Sequence, residues 1–222
     1  MRLRILASFL LSLLSVPLFA QTNELGVFVN RPSFSQTANV LHFLFDEAIL
    51  KVDPKIGYGI SFNHFLSPKL SIQVSGQTVR GDAKLLLVGG EQFTDPAGTL
   101  DLKQYDAVLL WNFVPEGPVR PYVGAGVAWI GGGKLQIAAD PANGVHAGAI
   151  SLDNKLTWVV DGGVDFRVSH NAAVTLAAKF THYAPTDATT PPRARTLDPS
   201  DVLFGPIKLD PMTINVGMRW RF

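Results

Sequence analysis

Histidine combines acid–base and metal-binding chemistry at neutral pH, and this chain has five: His42, His64, His146, His170 and His182. No two have the four-residue spacing of a helical HExxH zinc site. The absence of cysteine removes thiolate ligands and thiol nucleophiles together. His182 has the most enzyme-like surroundings, in the stretch KFTHYAPTD (179–187). A histidine base works on a hydroxyl or thiol held beside it. Ala184 and Pro185 follow instead, so Ser–His acyl transfer lacks its nucleophile. The glycines of GAGVAWIGGG (124–133) have neither the following helix nor the acidic residue of a dinucleotide site. The expectation is a non-enzymatic protein with no catalytic residue, metal site or cofactor.

A second set of reactive groups stands out by spacing. Glu24, Asp161, Asp165, Arg167, Lys179, Arg219 and Arg221 all lie in segments whose alternate residues are apolar. Charges sharing one strand face can form a selectivity ring, or they can pair and fill the space they point into. An eight-stranded barrel has an interior just wide enough for side chains, which favours the filled network. Asp161 and Lys179 are expected at similar height above a turn at 169–171. Glu24, Asp165, Arg219 and Arg221 are expected nearer that turn end. Breaking a buried pair by removing one partner costs about 3–5 kcal/mol.

The elements that must hold these charges follow from period-two alternation, the signature of strands. In MTINVGMRWRF (212–222), Met212, Ile214, Val216, Met218, Trp220 and Phe222 oppose Thr213, Asn215, Gly217, Arg219 and Arg221. The same pattern runs through 55–65, 69–79, 156–168 and 171–180. Residues 24–30, 105–113 and 121–129 complete eight strands. Leu100 and Leu102 sit on the opposite parity to Tyr105 and Leu109, which predicts a bulge near Lys103. Short turn-rich links at 67–69, 115–118 and 169–171 alternate with long ones near 31–54, 81–98, 130–153 and 185–210. Residues 41–50 fit either a short amphipathic helix over the mouth or an extension of the strands.

Strict alternation of long and short links places all long ones at one end of an up-and-down barrel. Short periplasmic turns and long extracellular loops mark outer-membrane barrels. Face chemistry favours a membrane barrel over a soluble ligand barrel, because six charges on one face cannot line an apolar pocket unpaired. The first twenty residues, MRLRILASFLLSLLSVPLFA, read as a secretory signal peptide cut after Ala20. The mature domain is then 21–222. Net charge is +1 with both signs scattered, unlike the basic patch of a nucleic-acid binder. The expected fold is all-β: an eight-stranded antiparallel up-and-down transmembrane β-barrel with four long extracellular loops and short periplasmic turns.

The signal peptide, the PYVGAGVAW segment and the closing strand ending in Trp-Arg-Phe resemble small bacterial outer-membrane barrels of the OmpW-like and OmpX/OmpA-like type. The resemblance implies that Met218, Trp220 and Phe222 form the signal read by the barrel-insertion machinery. It also implies outer-membrane lipid and lipopolysaccharide as surroundings, and a bacterial outer-membrane location. KFTHYAPTD resembles the Phe-x-His-x-Ser-Asn segment of lipid A deacylases at Phe180 and His182, but departs at Ala184 and Pro185. The expected role is structural or surface-interactive, through the extracellular loops. The alternative is a narrow pore for small or hydrophobic solutes, as in OmpW-like proteins; a lipid A-modifying enzyme comes third.

Overall fold

The computed structural model describes residues 23–34, 39–42, 45–87, 92–137, 148–184, 202–204 and 209–222. The expected signal peptide, His146 and most of the 185–210 link lie outside them. The described residues form twelve strands: β1 (Asn23–Phe34), β2 (Asn39–His42), β3 (Phe45–Lys55), β4 (Gly57–Phe65), β5 (Leu70–Leu87), β6 (Gln92–Asn112), β7 (Val119–Ile137), β8 (Gly148–Ser151), β9 (Lys155–Arg167), β10 (Ala172–Thr181), β11 (Val202–Phe204) and β12 (Pro211–Arg221). Eight of them close a ring of antiparallel neighbours: β1–β4–β5–β6–β7–β9–β10–β12–β1. The closing ladder runs from Glu24↔Arg221 to Phe34↔Pro211. Backbone bonds between Asn23 and Phe222 extend it by one step.

Alternation decides which way each side chain faces, because successive residues of a strand point to opposite faces. On β12, Met212, Ile214, Val216, Met218 and Trp220 face outward, while Thr213, Asn215 and Arg219 are buried within. On β6 the alternation is unbroken from Thr99 to Asn112. The predicted irregularity is present, but on the opposite strand. Asp101 pairs with Lys134 and Lys103 with Gly131, so the extra residue lies in the Gly131–Gly133 run of β7. Leu100 and Leu102 therefore stay on the inward face, buried.

The turns at one end are tight. Leu66 and Ser67 both donate to the Leu70 carbonyl, and Val168 and Ser169 both donate to that of Ala172. Gly117 supplies a φ of 150° in the turn between β6 and β7, a conformation that side chains disfavour. At the other end the strands continue into much of what the sequence suggests as loop. Strand covers 31–34, 45–55, 81–87, 92–98, 130–137 and 148–151. Within 41–50, residues 41–42 and 45–50 are strand, so the extension applies there and the helix does not. The ladder β3–β5 and the upper parts of β5–β6 and β6–β7 satisfy backbone groups that a loop would leave to water.

Candidate functional site

The inward charges meet in one network of hydrogen bonds and ion pairs that crosses the barrel. At the turn end, Glu24 Oε1 accepts from Arg120 Nη1 at 2.9 Å and from Arg221 Nη2 at 2.7 Å. Arg120 also donates to Asp165 Oδ2 at 3.3 Å, as does Arg219. Thr175 donates to the other Asp165 oxygen at 2.7 Å. Arg219 Nη2 reaches Gln73 Oε1 at 2.8 Å and the Tyr122 hydroxyl at 3.0 Å. Gln73 passes the chain on, donating to Asp161 Oδ2 at 3.0 Å.

One level higher, Lys179 Nζ lies 3.7 Å from Asp161 and 2.8 Å from Asp106. Ser75 accepts from Lys179 at 2.8 Å and donates to Asp106 at 2.7 Å. Gln104 bridges Asp106 and Thr181 at 3.3 and 3.0 Å. Four carboxylates (Glu24, Asp106, Asp161, Asp165) thus face four cations (Arg120, Lys179, Arg219, Arg221). Charges buried this deeply persist only when paired and hydrogen-bonded. A cavity of about 20 Å³ lies beside Asp161, Lys179 and Arg219, and one of about 10 Å³ lies at the turn end beside Glu24 and Arg120. Each has the measure of a single water.

Six of the seven lumen charges expected from the sequence join this network. Arg167 has the right parity but sits at the last position of β9, exposed at the mouth, and forms no ion pair among the described residues. Arg120, Asp106, Gln73, Ser75 and Tyr122 are additional members. Arg120 hides in the turn-rich PEGPVRP stretch, and its parity with Tyr122 is the only signal that would have placed it.

Above the network the inward face changes character. Val79, Leu100, Leu102, Ile130, Leu152, Val159, Tyr183 and Leu209 are all buried there. The wall at this level also changes. The β1–β4 ladder ends at Asn30↔Gly57, and the chain steps out at Ile56, which is exposed. β3 continues beside β5, while Arg31–Phe34 of β1 pair with β12. Among the described residues, no ladder pair joins Arg31–Phe34 to β3. Pro32 and Pro54 border this stretch, and neither has an N–H to donate. Asn30 closes its lower end, donating to the Thr78 carbonyl of β5 at 3.0 Å.

The histidines take separate positions. His64 lies 2.8 Å from the Asn23 side chain. His182 Nδ1 lies 2.9 Å from Asp210 Oδ1 and its ring stacks on Trp158. Asp210 adopts a positive φ of 32° and also accepts from the Tyr183 N–H at 2.8 Å. The His–Asp pair therefore anchors the top of β10 against the start of β12.

The outward face is apolar across the middle of the ring, with Tyr105 and Trp129 in ring contact at 5.6 Å and Trp158 and Phe180 at 5.3 Å near its upper edge. Such a belt edged by aromatics is the surface a barrel presents to lipid. Three solved structures share the fold. The outer membrane protein OprG from Pseudomonas aeruginosa has a TM-score of 0.68 at 11% identity, covering 91% of this chain and 95% of that one. The outer membrane protein AlkL, determined in lipid bilayers, has a TM-score of 0.51 at 13% identity, covering 90% of each chain. Neisserial surface protein A has a TM-score of 0.50 at 13% identity, covering 91% and 97%. No curated protein matches by sequence. The profile of the OmpW family matches residues 26–222, and the chain belongs to that family of bacterial outer-membrane β-barrels.

Proposed function

We propose that the protein passes small apolar solutes from the cell exterior into the outer membrane, through the apolar upper part of its lumen and sideways between β1 and β3. The observation that carries this reading is the juxtaposition of two features. The inward face turns apolar above Gln104 and Thr181, and at that height no ladder pair among the described residues joins Arg31–Phe34 to β3. The charged floor beneath offers an apolar molecule no way down. Exit into hydrocarbon costs it nothing in lost apolar contact, whereas crossing eight paired charges would strip their hydration or break their pairs.

The absence of cysteine makes a direct test clean. Ser33→Cys and Asp53→Cys, joined by a short bismaleimide, would tie β1 to β3. Uptake of an n-alkane by cells expressing the linked protein should fall to the rate of cells lacking it. The unlinked double variant should keep its uptake. Unchanged uptake after quantitative linking rules the side exit out.

A second reading, a structural and surface-interactive role, draws on the plugged floor and on the sheet that β2, β3, β5 and β11 carry beyond the apolar belt. It predicts normal alkane uptake in cells lacking the protein. Neither reading invokes bond-making chemistry, in keeping with Ala184 standing where a nucleophilic hydroxyl two residues after His182 would be. Met218 and Trp220, facing outward on the closing strand, and the exposed Phe222 just after it would serve recognition by the barrel-insertion machinery. Deleting Phe222 should slow membrane assembly in cells more than it lowers the stability of the refolded barrel.

A further inference from the structure

The outer wall of β3, β5 and β6 carries charges that the lumen does not use, and strand register sorts them into horizontal rungs. Tyr105 and Trp129 edge the apolar belt. The next rung up pairs Thr78 with Lys103, with Tyr58 beside Thr78. Above it Lys55, Arg80 and Asp101 lie side by side. Above these come Asp53 and Asp82, and then Lys51 and Lys84. Directly opposite residues on β3 and β5 therefore carry the same sign three times in succession.

Like charges set opposite one another destabilise a strand pair. The compensating ion pairs run diagonally between β3 and β5, Lys55–Asp82 at 2.6 Å and Lys84–Asp53 at 3.1 Å, and straight across from β5 to β6, Arg80–Asp101 at 3.6 Å. A wall needing only ion pairs would alternate signs across each rung. Between β3 and β5 this one sets cations side by side: Lys55 and Arg80 stand two rungs above the aromatic edge, with Lys103 on the rung between. Rungs are two residues apart, about 7 Å along a strand, so Lys103, Lys55 and Arg80 stand where phosphate esters border hydrocarbon. The arrangement is one-sided. Near the corresponding edge, β9 and β10 present Leu156, Trp158 and Phe180 outward instead.

We propose that Lys103, Lys55 and Arg80 form a docking surface for the phosphates of lipopolysaccharide in the outer leaflet. The argument is charge complementarity at that height: neighbouring cations about 5 Å apart across a strand pair can share one phosphate. Arg80 also packs over the Tyr58 ring at 5.3 Å, which holds its guanidinium at the edge of the belt. This inference rests on the outer-membrane placement of the barrel and is independent of the solute route.

The test titrates the full-length mature protein in detergent micelles with bis-phosphorylated lipid A, following tryptophan fluorescence. Each cation near an anionic surface is worth about a factor of five in affinity, so Lys55→Gln/Arg80→Gln should weaken binding about 25-fold. Lys103→Gln, whose side chain makes no ion pair among the described residues, should weaken it about fivefold without disturbing another charge. Lys69→Gln at the turn end should change nothing. Dephosphorylated lipid A and phosphatidylglycerol should both bind the wild type at least tenfold more weakly. Undiminished affinity in Lys103→Gln, or equal affinity for either control lipid, overturns the proposal even if the double variant fails to fold.

Discussion

Lys179 on β10 and Asp106 on β6 meet across the lumen at 2.8 Å, 73 residues apart in the chain and both almost wholly buried. The ring places three strand boundaries between them, so the pair ties opposite walls together rather than neighbours. Lys179→Met should leave Asp106 and Asp161 facing each other's side of the lumen without their shared cation. The expected loss is about 3–5 kcal/mol, read by urea unfolding in phospholipid vesicles. Adding Asp106→Leu should recover part of it, because an apolar pair of similar volume removes the orphaned charge along with its partner. Additive losses in the double variant would show that the two residues act separately.

Asp161 should behave more mildly. Its Oδ2 accepts from Gln73 at 3.0 Å, while its distance to Lys179 is 3.7 Å. Asp161→Asn keeps an acceptor for Gln73, and Lys179 keeps Asp106. Asp161→Ala strands the Gln73 amide in a buried site, at about 1–3 kcal/mol. The alanine variant should therefore melt at a lower temperature than the asparagine variant. Equal melting temperatures would mean that Asp161 contributes bulk rather than a hydrogen-bond link.

How far the chain announces all this depends on range. Parity is a local property, and it identified the outward set Met212, Ile214, Val216, Met218 and Trp220 and the inward set Asp161, Asp165, Lys179 and Arg219. Partnership across the lumen is set by strand stagger, which no local pattern encodes. Asp106 and Gln73 are legible as polar-face residues, but not as the groups that hold Lys179 and Asp161. Arg120 escaped because Pro118 and Pro121 make its surroundings look like turn. The upper strands read as loop for a related reason. Their outward residues become charged above the belt, as at Arg80, Asp82 and Lys84, so the polar–apolar contrast inverts or fades where the ladder continues. Leu100 and Leu102 illustrate the inversion: they are apolar and inward at a height where Asp101 and Lys103 face out.

Phe28 of β1 points inward, and glycines on both neighbouring strands receive it. A side chain at Gly59 would collide with the Phe28 ring, and one at Gly217 with its Cβ and the Val27 carbonyl. Large-over-glycine packing of this kind fills a narrow barrel and shields the exposed backbone. Gly59→Ala should destabilise by about 1–3 kcal/mol, the usual cost of overpacking. In a Phe28→Ala background the same change should cost less, since the obstructing ring is gone and only the close Gly76 carbonyl remains. A double-mutant cycle by urea unfolding reads this directly, and a coupling energy near zero would mean the ring moves aside freely.

The paired floor also sets what the barrel can conduct. Cavities of about 20 and 10 Å³ beside the network leave room for single waters, not for a hydrated ion. The wild-type protein in a planar bilayer should show no steady ion current at moderate voltage. Gln73 and Lys179 are the two side chains that span most of the section, one linking Arg219 to Asp161, the other linking Asp161 to Asp106 and Ser75. Gln73→Ala/Lys179→Ala removes both bridges and leaves Asp106 and Asp161 lining the gap. That variant should open a small cation-selective conductance, because the residual charge at that level is negative. The current should fall again when Asp106→Asn is added. A wild-type barrel that already conducts at the level of the double variant would mean that ions pass around the network, and the floor would then be a filter rather than a seal.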